Sequence, residues 1–259
     1  MTKLTKLSRS VKDKVALITG SGSGMGRATA YVFAEAGAKV IASDINEEQI
    51  DEVASDINSS NGSCLKQVLD VTNKKNISEV ISNVIKEFGQ LDMIVNNAGI
   101  SIPTTIDDEN YEDSWDKTFD VLLKGQVTLI RAALPFIRES DCGRIVNISS
   151  TEGIGATPRI SPYTSAKHGV IGLTRSLAAE LGSEGITVNC ICPGPINTAM
   201  TASIPAEDKK IYARRRVPLK RYGEPEEVAH MTLSLCLPAA SFVNGAVLTV
   251  DGGLSIKRA

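Results

Sequence analysis

The feature that most constrains the fold of this 259-residue chain is a regular alternation between short apolar, β-branched runs and longer helical patterns. Such alternation is typical of a parallel sheet covered by helices, because each parallel strand needs a long crossover to reach its neighbour. Seven runs have the length and composition of strands: residues 15–19, 39–43, 65–69, 93–95, 144–148, 187–191 and 246–250. The sequence therefore predicts an α/β protein with about seven strands.

The segments between these runs carry helical faces. Apolar residues follow the i, i+3, i+4, i+7 spacing of one helix face at Ile77, Val80, Ile81, Val84, Ile85 and Phe88. No repeat, composition shift or Pro/Gly/Ser-rich linker divides the chain, so we expect one domain over residues 1–259, with residues 1–13 as an extension. Residues 198–224 interrupt the alternation before a helix opened by Glu224 and Pro225. A long insertion of this kind predicts a substrate lid, with a plain surface loop as the alternative.

Composition and charge argue against several classes of function. The net charge is −2, without the basic excess that is typical of nucleic-acid-binding proteins. No apolar run approaches the ~18 residues of a membrane span, and the first residues lack the pattern of a signal peptide. The one close cysteine pair, Cys190 and Cys192, has no histidine near it, so we expect no metal site. These features favour a cytoplasmic protein without a membrane or nucleic-acid partner.

A glycine-rich turn follows the first predicted strand and precedes a helix predicted over residues 27–36. Its glycines are Gly20, Gly22, Gly24 and Gly26. Glycines allow a tight turn and a close approach of the backbone to a pyrophosphate, for which a helix N-terminus supplies free N–H groups. The Lys that a phosphate-loop NTPase needs after the last glycine is absent. Position between strand and helix therefore favours a dinucleotide site over a purely structural turn.

Asp44 ends the second predicted strand. A carboxylate at this place can accept hydrogen bonds from the adenosine ribose and repels a 2′-phosphate. Neither Ser23 nor Ile45 offers the basic side chain that would favour the phosphorylated cofactor. We therefore expect NAD in preference to NADP, while a role for Asp44 as the N-cap of the next helix remains open beside it.

Tyr163 and Lys167 lie four residues apart, on one face of a predicted helix. A free tyrosine has a pKa near 10, and a lysine within reach favours the phenolate. Such a phenol can exchange a proton with a carbonyl or alcohol oxygen as a hydride moves to or from a nicotinamide. The strand before this helix ends at Ser149 and Ser150, and either serine could hold the substrate oxygen or cap the chain locally.

Further polar segments leave the strands at the same predicted edge of the sheet. Residues 96–99 follow the fourth strand and residues 193–198 follow the sixth. The carboxyl ends of parallel strands meet at one edge, where open α/β sheets bind their ligands. Three strand ends and one helix are thus predicted to converge on a single crevice.

In the order of these motifs the chain resembles the short-chain dehydrogenase/reductase family, over residues 14–253. The matching positions are Thr19, Gly20, Gly24 and Gly26; Asn96 to Gly99; Ser150; Tyr163 and Lys167; and Pro193, Gly194 and Thr198. The resemblance implies an α/β fold with a single Rossmann-type, doubly wound parallel sheet and helices on both faces. It also implies NAD(H) laid across the strand ends and, commonly, a homotetramer.

The resemblance further implies roles for single residues. Ser150, Tyr163 and Lys167 would be catalytic, and Lys167 would also bind the nicotinamide ribose. Ile196 and Thr198 would hold the carboxamide. The expected cofactor-binding residues are Gly20, Ser23, Gly24, Met25, Gly26, Asp44, Asp70, Val71, Asn97, Ala98, Gly99, Tyr163, Lys167, Pro193, Ile196 and Thr198. Among them, Asp70 and Val71 would border the adenine and Asn97 the adjoining ribose.

One position departs from the family pattern. Members usually carry an asparagine, in a V-N-x-x-G sequence, that completes a proton relay through water, and Leu122 stands in its place. The backbone carbonyl of Leu122 could still hold the relay water, but its side chain forms no hydrogen bond. We expect hydride transfer to persist and the relay behind Lys167 to differ.

The leading hypothesis is an NAD-dependent oxidoreductase of a secondary alcohol and its ketone, with Tyr163 as acid and base. The alternatives are a 3-oxoacyl-thioester reductase, a catalytically silent NAD-binding sensor or scaffold, and an epimerase or dehydratase on the same fold. Glu152 and Arg159 lie between Ser150 and Tyr163 and are expected to contact the substrate. Together with Arg214, Arg215 and Arg216 they favour a polar or anionic small molecule, unless these arginines simply face solvent.

Overall fold

The computed structural model describes residues 6–257, and within them seven parallel strands form one sheet in the order β3-β2-β1-β4-β5-β6-β7. The strands are β1 Val15–Thr19, β2 Lys39–Asp44, β3 Ser63–Val68, β4 Met93–Asn96, β5 Arg144–Ile148, β6 Thr187–Pro193 and β7 Val247–Val250. The predicted fold class is confirmed. The predicted third strand was misplaced, since β3 begins at Ser63 and ends before Leu69. As an edge strand, β3 is only half-buried, so its apolar pattern does not mark its start.

Eight α-helices cover the sheet within the same residues. They are α1 Gly24–Glu35, α2 Glu47–Ser59, α3 Lys74–Phe88, α4 Tyr111–Phe119, α5 Gly125–Arg138, α6 Ser161–Leu181, α7 Ala206–Arg216 and α8 Pro225–Cys236. A π-helical turn, Asp120–Lys124, joins α4 to α5. No helix among the described residues is both long enough and apolar enough to cross a membrane.

The core is divided between the two faces of the sheet. Successive residues of a strand point to opposite faces, so Ala16 and Ile18 pack on the side of α1, α2 and α8. Val15 and Leu17 pack on the side of α3, α5 and α6. Because helices cover both faces, β1 is apolar and buried along its whole length, as is typical of a central parallel strand.

The strand order reverses between β1 and β4, which are paired in the middle of the sheet. The connections from these two strands leave in opposite directions and open a crevice at their carboxyl ends. This edge carries the candidate site. The predicted lid, residues 198–224, contains a 3₁₀ turn at Ala199–Thr201 and the helix α7.

The opposite edge of the sheet is tied together by a buried carboxylate. Asp92 is 2% exposed and accepts hydrogen bonds from the Val15 amide at 2.8 Å, from Gln90 Nε2 at 2.9 Å and from the Ser140 hydroxyl. Lys14 pairs with Asp92 at 3.5 Å and with the exposed Asp141. Asp92 therefore joins the start of β1 to the segments that lead into β4 and β5.

Asp92→Ala is expected to lower the free energy of unfolding by about 2 to 4 kcal/mol, because it leaves the buried Val15 amide without its acceptor and removes one of the two carboxylates that pair with Lys14. Urea titration followed by circular dichroism measures this. The matched variant Asp141→Ala removes an exposed partner of the same lysine and should cost under about 1 kcal/mol. Equal losses for the two variants would contradict the buried role of Asp92.

Candidate active site

The turn between β1 and α1 is held close to the end of β4. Gly20 has a φ of 66°, a conformation that side chains rarely adopt, and a Cβ there would lie 2.8 Å from the Cα of Ala98. A Cβ on Gly26 would lie 2.0 Å from the Gly20 carbonyl oxygen. Glycine is therefore required at both positions, and the N-terminus of α1 opens directly behind the turn.

Asn97 links the ends of β1 and β4. Its Nδ2 donates to the carbonyl oxygens of Thr19 at 2.9 Å and Gly20 at 3.1 Å. The Thr19 hydroxyl accepts in return from the amides of Asn97 and Ala98, both at 3.0 Å. Asn97, expected from the sequence as a ribose contact, thus also supports the glycine-rich turn.

Asp44 faces the same turn from the end of β2. One carboxylate oxygen accepts from the Gly22 amide at 3.0 Å, and the other accepts from the Asn46 amide at 3.0 Å. The N-cap of α2 is Asn46, whose side chain accepts from the Gln49 amide, so Asp44 does not cap this helix. Its half-exposed carboxylate borders the crevice instead.

The crevice has a volume of about 710 Å³ and extends along the carboxyl ends of the central strands. Thirteen of the residues expected to bind a cofactor line it: Gly20, Ser23, Gly24, Met25, Asp44, Asp70, Val71, Asn97, Ala98, Gly99, Tyr163, Lys167 and Thr198. Gly26 lies behind the turn, Pro193 ends β6, and Ile196 lines a separate cavity of about 500 Å³ beside β7.

Several lining residues were not foreseen from the sequence. Asp120 and Val121 reach the crevice because the π-helical turn widens the helix there, and Lys117 lies just before it. Met200 comes from the 3₁₀ turn after β6. Other lining residues directly follow one that was expected to bind the cofactor and so carried a sequence signal: Ile45, Thr72, Ile100 and Ala199.

The shape and chemistry of the crevice fit a dinucleotide. The Asp44 carboxylate lies at one end of the crevice, and Tyr163 and Lys167 of α6 lie among the other lining residues. Between them lie Gly20 and Gly24 of the glycine-rich turn and the N-terminus of α1, whose free N–H groups can bind a pyrophosphate. No cluster of residues suited to a metal occurs within residues 6–257.

Lys167 is buried at the inner wall of the crevice. It is 4% exposed, and its Nζ donates to the Ile148 carbonyl oxygen at 2.8 Å. The same Nζ lies 5.5 Å from the centre of the Tyr163 ring. Burial lowers the pKa of Lys167 to about 8, because the charged ammonium is removed from water.

Tyr163 has the opposite shift. Burial raises the pKa of Tyr163 to about 12, the charge of Glu152 adds to the rise, and a hydrogen bond with Ser150 opposes it. The sequence predicts that Lys167 draws this pKa down. In the structure the largest effect is desolvation of the phenolate, which raises it. The phenol is therefore neutral near neutral pH and is arranged to donate a proton.

The two serines after β5 have different surroundings. Ser149 is 3% exposed, and its hydroxyl donates to the Lys167 carbonyl oxygen at 2.8 Å, which fixes β5 to α6. Ser150 is half-buried beside the Tyr163 hydroxyl, and its oxygen accepts from the Glu152 amide at 3.1 Å. Ser150 therefore combines a local capping bond with contact to the phenol.

Glu152 and Arg159 shape the segment between Ser150 and α6. The Glu152 carboxylate accepts from the hydroxyl of Thr157 at 2.7 Å and from that of Thr164 at 3.1 Å. Arg159 has a φ of 70°, and its carbonyl oxygen accepts from the Thr104 amide at 2.8 Å. Glu152 thus holds the segment against α6, and Arg159 joins it to residues 100–106. Substrate contact through either side chain stays a prediction.

Leu122 lies in the π-helical turn and is fully buried. Its Cδ2 would lie 3.2 Å from a Cβ on Gly99, so its side chain packs against the segment that leaves β4. An apolar side chain thus occupies the place where the family pattern has an amide. The altered proton relay stays a prediction.

Comparisons with known proteins agree with this architecture. Residues 20–255 match the family model described as enoyl-(acyl carrier protein) reductase. The chain is 40% identical to a 3-oxoacyl-(acyl-carrier-protein) reductase of Thermotoga maritima, over 95% of this chain and 99% of the relative. It is also 40% identical to the (2S)-((R)-hydroxy(phenyl)methyl)succinyl-CoA dehydrogenase subunit of Thauera aromatica, over 95% of this chain and 98% of the relative.

A solved structure shows the same fold. A suggested NAD(P)-dependent gluconate 5-dehydrogenase of Beutenbergia cavernae, with NADP bound at low occupancy, is 34% identical and superposes with a TM-score of 0.89. The superposition covers 96% of this chain and 99% of that one.

Gly26→Ala is expected to weaken NADH binding by roughly 10- to 100-fold, because the new Cβ displaces the glycine-rich turn that supports several hydrogen bonds. Quenching or enhancement of NADH fluorescence on titration measures the Kd. Gly172→Ala is the matched control, since no atom lies within 4 Å of its added Cβ in α6. An unchanged Kd in a folded Gly26→Ala protein would contradict the role of the glycine-rich turn in binding the cofactor.

Proposed function

The chain belongs to the short-chain dehydrogenase/reductase family of NAD(P)-dependent oxidoreductases of CH–OH and keto groups, and we propose that it uses Tyr163 as acid and base on a secondary alcohol and its ketone. The observation that carries the proposal is the convergence of Ser150, Tyr163 and Lys167 from β5 and α6 beside one dinucleotide-sized crevice.

Each residue has a part in the proposed mechanism. The nicotinamide cofactor, when bound, supplies or accepts the hydride. Ser150 donates a hydrogen bond to the substrate oxygen and so positions it beside the phenol. The neutral Tyr163 gives its proton to the carbonyl oxygen during reduction and takes one from the alcohol during oxidation. The ammonium of Lys167 stabilises the phenolate that reduction leaves behind.

The route by which Tyr163 regains its proton is expected to differ from the usual one. The Leu122 side chain cannot bind water, which leaves the backbone carbonyl of this turn as the available acceptor. Lys167 and Ile148 also lie in the wall of the crevice, where the Lys167 ammonium donates to the Ile148 carbonyl oxygen. This ammonium and this carbonyl group are the donor and the acceptor that remain for a proton relay.

We propose NAD as the preferred cofactor. The support is the Asp44 carboxylate at the edge of the crevice, which would lie against a 2′-phosphate. The nearest cation on α1 is already engaged, since Arg27 donates to the Gly22 carbonyl oxygen at 2.9 Å and pairs with Glu52 at 3.1 Å. The solved relative from Beutenbergia cavernae holds NADP, so the proposed preference for NAD rests on the residues around Asp44 in this chain.

The substrate is a small molecule that bears a secondary alcohol or ketone. The two relatives from Thermotoga maritima and Thauera aromatica are named for carrier-linked and coenzyme A-linked compounds, respectively. A 3-oxoacyl thioester is therefore the second candidate substrate within the same reaction type. A silent sensor would bind NADH and turn over none of these compounds.

A homotetrameric, cytoplasmic protein is part of the proposal. Phe242, which follows α8, is fully exposed, and Met231 and Val243 are exposed nearby in the sequence. We expect these exposed apolar side chains to take part in the subunit contact. The five cysteines are free thiols, as in proteins of a reducing compartment. Light scattering on the purified protein measures the number of subunits.

Tyr163→Phe is expected to lower kcat by roughly 10²- to 10⁴-fold on a substrate found by screening secondary alcohols with NAD, because the acid and base is lost. The Kd for NADH should be retained, since the ring stays in place. Tyr31→Phe is the matched control, as that phenol donates to Asp56 on the surface at 2.6 Å. Full activity of Tyr163→Phe would contradict the mechanism. A wild-type protein that oxidises none of the secondary alcohols would favour the catalytically silent NAD-binding sensor.

Asp44→Ser is expected to lower kcat/KM for NAD by roughly 10- to 100-fold, because a charged hydrogen-bond acceptor is lost from the ribose site. The value for NADP should fall less or rise, since the repulsion is removed with it. Initial rates with both cofactors give the ratio. Because Asp44 also accepts from Gly22, urea unfolding of the variant must show that the turn is intact. A wild-type preference for NADP would contradict the proposal.

A further inference from the structure

The C-terminal turn of α7 carries the densest positive charge of the chain. Arg214, Arg215 and Arg216 are followed by Lys220, and all four side chains are exposed; we call them the basic cluster. Within residues 6–257 none of these four side chains lies within ion-pair distance of a carboxylate. The neighbouring Glu227 is already bound by Arg221 at 2.6 Å.

Helix capping accounts for only part of this charge. The negative end of a helix attracts cations, but its partial charge is about half an elementary charge. Two lysines already serve the last carbonyl groups, because Lys220 donates to the Arg214 carbonyl oxygen at 2.8 Å and Lys257 donates to that of Arg215. The three guanidinium groups take no part in this capping, and their exposed positions leave them accessible to a ligand.

The basic cluster lies near the reaction centre without entering it. The charge of Glu152 raises the pKa of Tyr163 and also that of Tyr212, while the charge of Arg216 lowers the pKa of Tyr212. Tyr212 precedes Arg216 by one turn of α7, so the two residues share a face of the helix. Since the charges of Glu152 and Arg216 both act on Tyr212, this helix passes near the segment that carries Glu152.

Side chains of α7 hold this helix beside the wall of the crevice. Lys209 Nζ lies 3.4 Å from the Thr201 hydroxyl and 5.5 Å from the centre of the Tyr222 ring. Tyr212 packs edge-on against Tyr222 with 6.1 Å between ring centres. The 3₁₀ turn that contains Thr201 also supplies Met200 to the crevice wall. The position of the basic cluster is therefore fixed relative to the site.

The charges inside the crevice restrict where an anionic group can bind. Among its lining residues the cations are Lys117 and Lys167, and Lys167 is committed to the Ile148 carbonyl oxygen and the reaction centre. A small hydroxy acid would need its cation close to the reacting carbon. The arginines lie outside, so they suit an anion carried at a distance from that carbon on an uncharged arm.

We propose that the basic cluster binds the phosphate groups of a coenzyme A thioester whose acyl ketone lies at Ser150 and Tyr163. Guanidinium groups bind phosphate oxygens through paired hydrogen bonds. In the reaction the ketone carbon gains a hydride and its oxygen gains the Tyr163 proton, while NADH is oxidised to NAD⁺ and the thioester bond stays intact. This inference rests on the proposed function and assigns the part of the substrate that the crevice does not hold.

An acidic carrier protein is the competing ligand for the same charge. Four cations at the end of one helix match a few phosphate groups, whereas a stable protein interface covers about 800 Å² on each partner. The two ligands are distinguished by supplying the same acyl group on each of them.

The test compares acetoacetyl-coenzyme A with acetoacetyl-N-acetylcysteamine, which has the same ketone and thioester but no phosphate. We expect KM to be roughly tenfold lower for the coenzyme A ester, and the difference to shrink as salt is added. Replacing Arg214, Arg215 and Arg216 together by Gln should remove the difference by raising KM for the coenzyme A ester alone, with kcat little changed. Calorimetry with coenzyme A itself should show the same loss of binding.

The control variant replaces Lys74, Lys75 and Lys86 on α3 by Gln, which removes equal charge from a helix outside the crevice. Equal KM values for the two esters, or an equal loss in the control, would overturn the inference. A low KM confined to acetoacetyl groups on an acidic carrier protein would overturn it in favour of that partner. Oxidation of simple alcohols through Tyr163 without turnover of either ester would overturn it while leaving the proposed function intact. If neither alcohols nor esters react, the proposed function itself fails.

Discussion

The close contact between the glycine-rich turn and the end of β4 is the constraint on which the rest of the site depends. The turn has no room for a Cβ at Gly26, and the Asn97 amide holds two of its carbonyl groups. The contact lies at the edge where the strand order reverses, at the ends of the paired strands β1 and β4. It places the N-terminus of α1 at the crevice, and the same turn binds the Asp44 carboxylate through the Gly22 amide.

Burial gives the catalytic pair its character. It raises the pKa of Tyr163 to about 12 and lowers the pKa of Lys167 to about 8, because each charged form loses its hydration. A simple expectation that a lysine makes its tyrosine neighbour acidic ignores this cost. The neutral phenol of Tyr163 is suited to donate a proton, and the ammonium of Lys167 stabilises the phenolate that remains.

The sequence was sufficient for the fold class and for the strand ends that form the site, because burial on both faces leaves long apolar runs and glycines mark the turn. It was not sufficient where a long-range contact decides the geometry. The two threonines that engage Glu152 have no sequence signal, nor does the positive φ of Arg159. The sequence also does not indicate where β3 begins, because only its pairing with β2 defines that start.

The π-helical turn at Asp120–Lys124 has a consequence for how this protein can change. Such a turn holds one residue more than an α-helical turn would, so it behaves as a single-residue insertion within a continuous helix. The flanking helices α4 and α5 keep their buried faces because the turn absorbs the extra residue. Deleting one residue here would convert the turn into a regular α-helical turn and leave the buried face of α5 against the sheet, whereas the same deletion within α5 would rotate everything after it by about 100°. The wall of the crevice that contains Asp120 and Val121 can therefore change its length by one residue without disturbing the core.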